Sequence, residues 1–144
     1  MKLIYDDIKS GNLKQVYLLY GEEAYLRRQY RDRLRDALAQ GDTMNCHYFE
    51  GKGINPGEVI DLAETLPFLA PRRVLVVENS GLFKKGGERL AEYMTDMSET
   101  AYFVFVETEV DKRSRIYKAV KTAGRVTEFP LQDMGTLRRW IAGL

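Results

Sequence analysis

Cysteine and histidine are almost missing from this chain, which has one of each, Cys46 and His47, in 144 residues. A single thiol excludes an internal disulfide, and one thiol beside one imidazole cannot complete a cysteine and histidine zinc site. Such usage fits a reducing compartment, the cytoplasm. An excess of one charge is missing as well, since 22 Lys and Arg face 21 Asp and Glu for a net charge of +1. No global field therefore draws the chain to nucleic acid or an anionic membrane, and any DNA contact must be local. Long apolar runs are absent too. The longest, residues 101–106, is far too short to cross a bilayer, and the opening MKLIYDDIKSG lacks the apolar centre of a signal peptide. With four prolines and no low-complexity stretch, the disordered class is excluded.

What is present is 44% hydrophobic residues in a length that suits one domain. Five short apolar runs recur at regular spacing and predict strands: Val16 to Tyr20, Met44 to Phe49, Val74 to Val77, Tyr102 to Val106 and Val126 to Phe129. VYLLY, VLVV and YFVFV lack polar alternation, which suits strands covered on both faces of a parallel sheet. Helical periodicity fills the gaps. Glu22 to Ala39 carries Leu26, Tyr30, Leu34, Ala37 and Leu38 on one stripe. A second helix opens at Asn55-Pro56-Gly57-Glu58, has a stripe of Val59, Leu62, Ala63 and Leu66, and stops at Pro67. A third spans Gly87 to Met97. A fourth starts with Asp111 as its cap and buries Ile116, Ala119 and Val120. Leu137, Trp140, Ile141 and Leu144 predict a last helix that the chain end cuts off. The expectation is a doubly wound α/β fold on a mainly parallel five-stranded sheet, with any ligand outside the carboxyl ends of the strands.

That position argues against a nucleotide. A phosphate loop after the first strand needs several glycines, a Lys and a Ser or Thr, whereas this chain reads Tyr20-Gly21-Glu22-Glu23-Ala24. Two carboxylates there would repel phosphate. Glu78 ends the third strand alone, without the paired acid that a magnesium site uses, and reads as an acidic strand end capping its turn. Gly51-Lys52-Gly53 and Lys85-Gly86-Gly87 read as turns. Cys46 and His47, neighbours on a strand, point to opposite faces and cannot share one ion. No catalytic, cofactor or metal residue is expected.

One segment stands out, Leu66-Pro67-Phe68-Leu69-Ala70-Pro71-Arg72-Arg73. Its two prolines make a stiff apolar knuckle with a basic rim. Large apolar residues are mostly buried, so Phe68 and Leu69 could fold back as a lid on their own sheet; they could equally form an exposed knob for a partner's pocket. The residues alone do not choose. Arg27, Arg31 and Arg35 on the first helix, and Lys112, Arg113, Arg115, Lys118 and Lys121 around the fourth, read as solvated charged faces, with phosphate contact, helped by Lys84 and Lys85, as the alternative.

Taken together, VYLLYGEEAYL, LPFLAPRRVLVVEN, VDKRSRIYKAVK and FPLQDMGTLRRWI resemble, in order and spacing, the first domain of the DNA polymerase III delta subunit family. The resemblance covers nearly the whole chain. It implies a clamp-loader subunit with the fold of an AAA+ (P-loop NTPase-like) module that binds no ATP and has no activity of its own. Residues 1–144 would be the N-terminal domain, without the helical second domain and C-terminal collar domain of the full subunit. Through the collar that subunit would join gamma or tau and delta-prime and act on primed DNA. The resemblance also implies that a hydrophobic pair at this turn inserts into the beta sliding clamp and helps open the ring. The pair falls on Phe68 and Leu69, with Leu66 in support and Arg72 and Arg73 anchoring the loop or meeting acidic clamp residues. The alternatives are another AAA+-like scaffold such as delta-prime, whose Ser-Arg-Cys segment and zinc cysteines are not here, and a nucleotide-binding enzyme with an unconventional loop.

Overall fold

A computed structural model describes residues 1–133, Gly135 and Arg139. The predicted last helix, with Leu137, Trp140, Ile141 and Leu144, lies outside the described residues. The elements run α1 (Lys2–Ser10), β1 (Val16–Tyr20), α2 (Ala24–Ala39), β2 (Cys46–Glu50), α3 (Pro56–Glu64), β3 (Arg73–Glu78), α4 (Glu88–Tyr93) with a 3-10 turn at Met94–Asp96, β4 (Ala101–Glu107), α5 (Arg115–Ala123) and β5 (Arg125–Glu128). The five strands form one parallel sheet in the order β2-β3-β4-β1-β5.

The period of two along each strand divides the core into two layers. Val16, Leu18 and Tyr20 of β1, Leu75 and Val77 of β3, and Phe103 and Phe105 of β4 face one way, against α3, α4 and α5. Tyr17 and Leu19, Val74 and Val76, and Val104 and Val106 face the other way, against α1 and α2. Helices cover both faces. Central strands therefore have no polar side, and each large apolar side chain buried there contributes about 1.5–3 kcal/mol.

Local signals explain the helix ends. Asn55 Oδ1 accepts the Gly57 N–H at 2.9 Å with Pro56 at the first helical position of α3, as expected. The cap of α5 is Ser114, whose Oγ accepts from Tyr117 N at 3.2 Å. This corrects the reading of Asp111, whose carboxylate closes a turn by accepting from Arg113 N at 2.9 Å. Two further expectations change. Leu66 does not extend the buried stripe of α3, because the helix ends at Glu64 and Leu66 is exposed. Met44 is exposed ahead of β2 rather than inside it. Helix α1 has no counterpart in the sequence reading. It is fixed by Ile4 in the core and by Asp7, which accepts from the buried Tyr17 hydroxyl at 2.8 Å and from Arg125 Nη2 at 2.9 Å.

Candidate functional site

At the carboxyl end of β1, where a doubly wound sheet normally takes its ligand, the backbone is already occupied. Gly21 N–H donates to Thr108 O at 3.2 Å, Glu23 N–H to Phe129 O at 3.0 Å, and Phe129 N–H returns a bond to Tyr20 O at 2.7 Å. Glu23 is buried and caps α2, its carboxylate accepting from Tyr25 N at 3.2 Å and from Gln132 N at 3.1 Å. The chain's own carboxylate thus sits where a helix N-terminus would otherwise receive an anion. Gly21, at φ 123°, has no room either, since a Cβ on it would lie 2.3 Å from Phe129 O.

The neighbouring strand ends are equally self-contained. Glu78 does not cap its turn, as the sequence reading had it; it pairs with Arg31 Nη1 at 2.7 Å. Glu107, at the end of β4, takes Ser80 N–H at 2.9 Å and Gly81 N–H at 2.8 Å and so ties down the loop after β3. Burial pushes the Glu107 carboxyl above the usual range, and those N–H donors oppose the rise. Arg27 lies in the field of Glu23, Glu78 and Glu107, and burial lowers its pKa from the usual arginine value.

The turn between α3 and β3 has the opposite character. Leu66, Phe68 and Leu69 are 74%, 60% and 90% exposed, although all three are large apolar side chains. Their backbone is held from beneath. Asn45, only 2% exposed, bonds Phe68 on both sides, with Oδ1 accepting Phe68 N–H at 2.8 Å and Nδ2 donating to Phe68 O at 2.9 Å. Arg73, 6% exposed, donates through Nε to Thr65 O at 2.7 Å and through Nη2 to Leu66 O at 2.8 Å. Leu69 stands at φ 55°, a region that a leucine seldom enters. Arg72 lies across the Tyr102 ring at 5.0 Å and donates to Leu38 O at 3.2 Å. Of the two arginines read as a rim, Arg73 is therefore an internal brace and Arg72 is half-buried.

A family model described as DNA polymerase III, delta subunit, matches residues 17–129. The chain belongs to that family. A curated relative, DNA polymerase III subunit delta of Bacillus subtilis strain 168, is 28% identical across 82% of this chain and 38% of its own length. Among solved structures, the Bacillus subtilis DNA clamp loader delta protein superposes with a TM-score of 0.82 at 23% identity, covering 99% of this chain and 46% of that one. A gamma subunit-related protein from Thermotoga maritima reaches a TM-score of 0.60 at 12% identity, covering 97% and 49%. At these identities the two structures speak for the fold. The chain spans less than half the length of each of these three proteins.

Within this delta-family module the remaining candidates separate into two kinds. Arg31 and Arg35 of α2 form ion pairs with Asp32, Asp36 and Glu78, as a solvated face predicts. Lys112, Arg113, Arg115, Lys118 and Lys121 are exposed, and Arg113 pairs with Asp111. Cys46 and His47 diverge as expected. Cys46 packs against the α1 and α2 layer, while Arg73 Nη1 lies 2.6 Å from His47 Nε2. Sequence reasoning missed Asn45, although a polar residue placed at the entry to an apolar strand must find partners once buried. Among the described residues no group of three or more His, Cys, Asp or Glu is placed to hold a metal, and no helix is long and apolar enough to cross a membrane.

Proposed function

We propose that this chain is the clamp-gripping module of a delta-type clamp-loader subunit, which works by binding and performs no chemistry itself. Phe68 and Leu69 enter an apolar pocket on the beta sliding clamp, Leu66 packs beside them, and the half-buried Arg72, held on Tyr102 and Leu38 O, anchors the end of the turn. Seated there, the turn stabilises a ring with one interface opened. In the full-length subunit, gamma or tau and delta-prime would be neighbours, and primed DNA would be met through the assembled loader.

The observation that carries this reading is the combination of 60% and 90% exposure at Phe68 and Leu69 with a backbone fastened by buried groups. Side chains that fill a partner's pocket anchor an interface, and a rigid support lowers the cost of ordering them. The closed turn at Gly21 and Glu23 supports the absence of nucleotide chemistry, because the Gly21 and Glu23 N–H groups are bonded internally and the Glu23 carboxylate caps the helix N-terminus. A pull-down with purified beta clamp tests the reading. Wild-type chain is expected to retain the clamp and Phe68→Ala with Leu69→Ala to lose it; equal retention would remove the proposal.

A further inference from the structure

Phe68 and Leu69 would gain by burial, so an unrestrained turn would fold them back against the sheet. What opposes this lies outside the turn. Asn45 is seated on the sheet through its own carbonyl, which accepts Val74 N–H at 2.8 Å, and its amide grips the Phe68 N–H and C=O together. The same amide nitrogen also donates to Asp42 Oδ2 at 2.8 Å, which fixes the orientation of the group. Arg73, rooted at the start of β3, holds Thr65 O and Leu66 O at the other shoulder. Leu69 is kept in left-handed backbone between these supports and the Pro71 bend.

We infer that Asn45 is a positioning residue for docking: its paired hydrogen bonds to the Phe68 backbone, with Arg73 bracing the opposite shoulder, set Phe68 and Leu69 outward before any partner arrives. The partner then meets a preorganised knob and does not have to extract it from the surface. The inference rests on the docking role proposed above. It adds a residue that touches no partner and yet governs the affinity.

Two measurements on the whole chain test it: amide hydrogen exchange at Phe68 in the free protein, and affinity for purified beta clamp. Asn45→Ala should speed Phe68 exchange by about tenfold or more and weaken clamp binding about tenfold, the scale of losing the paired bonds to the part-buried Phe68 N–H and C=O. Asn45→Asp keeps an acceptor for Phe68 N–H but sets a carboxylate oxygen against Phe68 O and Asp42 Oδ2, and should be impaired in both measurements as well. Unchanged exchange overturns the latch, and faster exchange with unchanged affinity overturns its link to docking. Should Asn45→Ala fail to fold, Arg73→Lys, which keeps the charge but cannot reach both carbonyls, is judged by the same two readouts. Phe68→Ala with Leu69→Ala separates the two ideas. If that variant binds as wild type, the docking role falls and the positioning role with it; if it loses binding while Asn45→Ala binds normally, the positioning role alone falls.

Discussion

Two turns of this molecule are fastened by similar means and end with opposite properties. The turn after β1 directs the Gly21 and Glu23 N–H groups and the Glu23 carboxylate inward, onto Thr108, Phe129, Tyr25 and Gln132, so those groups are not free for a ligand. The turn before β3 is gripped by Asn45 and Arg73 from the protein side, and its apolar side chains are left outside. Rigidity alone therefore does not make a site. What decides function is which groups remain over once the backbone has been satisfied.

The largest effect that would break this comparison comes from opening the closed turn. Gly21→Ala places a Cβ against the Phe129 carbonyl in a backbone conformation that alanine resists, and should cost on the order of 3 kcal/mol. Urea unfolding reads it, and a loss below about 1 kcal/mol would mean that the turn is looser than its hydrogen bonds imply.

Relief of the open turn should be smaller and opposite in sign. Leu69→Gly removes the left-handed penalty of about 1–2 kcal/mol and adds a chain-entropy cost of about 0.5–1 kcal/mol. A net gain of roughly 0.5 kcal/mol in folding stability, together with weaker clamp binding, would mark Leu69 as kept for contact rather than for the fold. Lower stability in that variant would count against this.

The pH dependence gives the finest contrast. Burial first, and the Arg73 guanidinium second, hold the His47 pKa below its ordinary value, because Arg73 donates to the nitrogen that a proton would take. The unfolded chain then binds that proton at a higher pH than the folded one. The His47 contribution is accordingly complete above the unfolded value of about 6.5 and is lost as pH falls through it toward the folded value. The drop in urea midpoint between pH 7.5 and pH 5.5 should be smaller in His47→Gln than in wild type; an identical drop would show that His47 does not report on the brace.

The fold was legible wherever the signal was local and repeated. VYLLY, VLVV and YFVFV marked the central strands because both their faces are covered, and Asn55-Pro56 marked a helix start because cap and first position sit side by side. Helix α1 was not legible. Its N-cap is Met1, which offers no side-chain bond, and the burial of Asp7 depends on Arg125, 118 positions away. Asp111 and Ser114 are both good caps three residues apart, and the choice went to the residue whose partner was an amide of the helix itself. At the candidate site, the prolines announced a stiff turn, but the backbone that carries Phe68 outward is held by Asn45, 23 positions earlier, and no local pattern encodes that.

The most direct measurement is the dissociation constant for beta clamp of three proteins side by side: wild type, Phe68→Ala with Leu69→Ala, and Leu131→Ala. Leu131 is 69% exposed and lies beyond β5, so it controls for general stickiness. At about 1.5–3 kcal/mol per buried side chain, the double variant should bind two to four orders of magnitude more weakly with an unchanged folding midpoint, and Leu131→Ala should bind as wild type. Equal affinity in all three, or equal losses in both variants, would contradict the account.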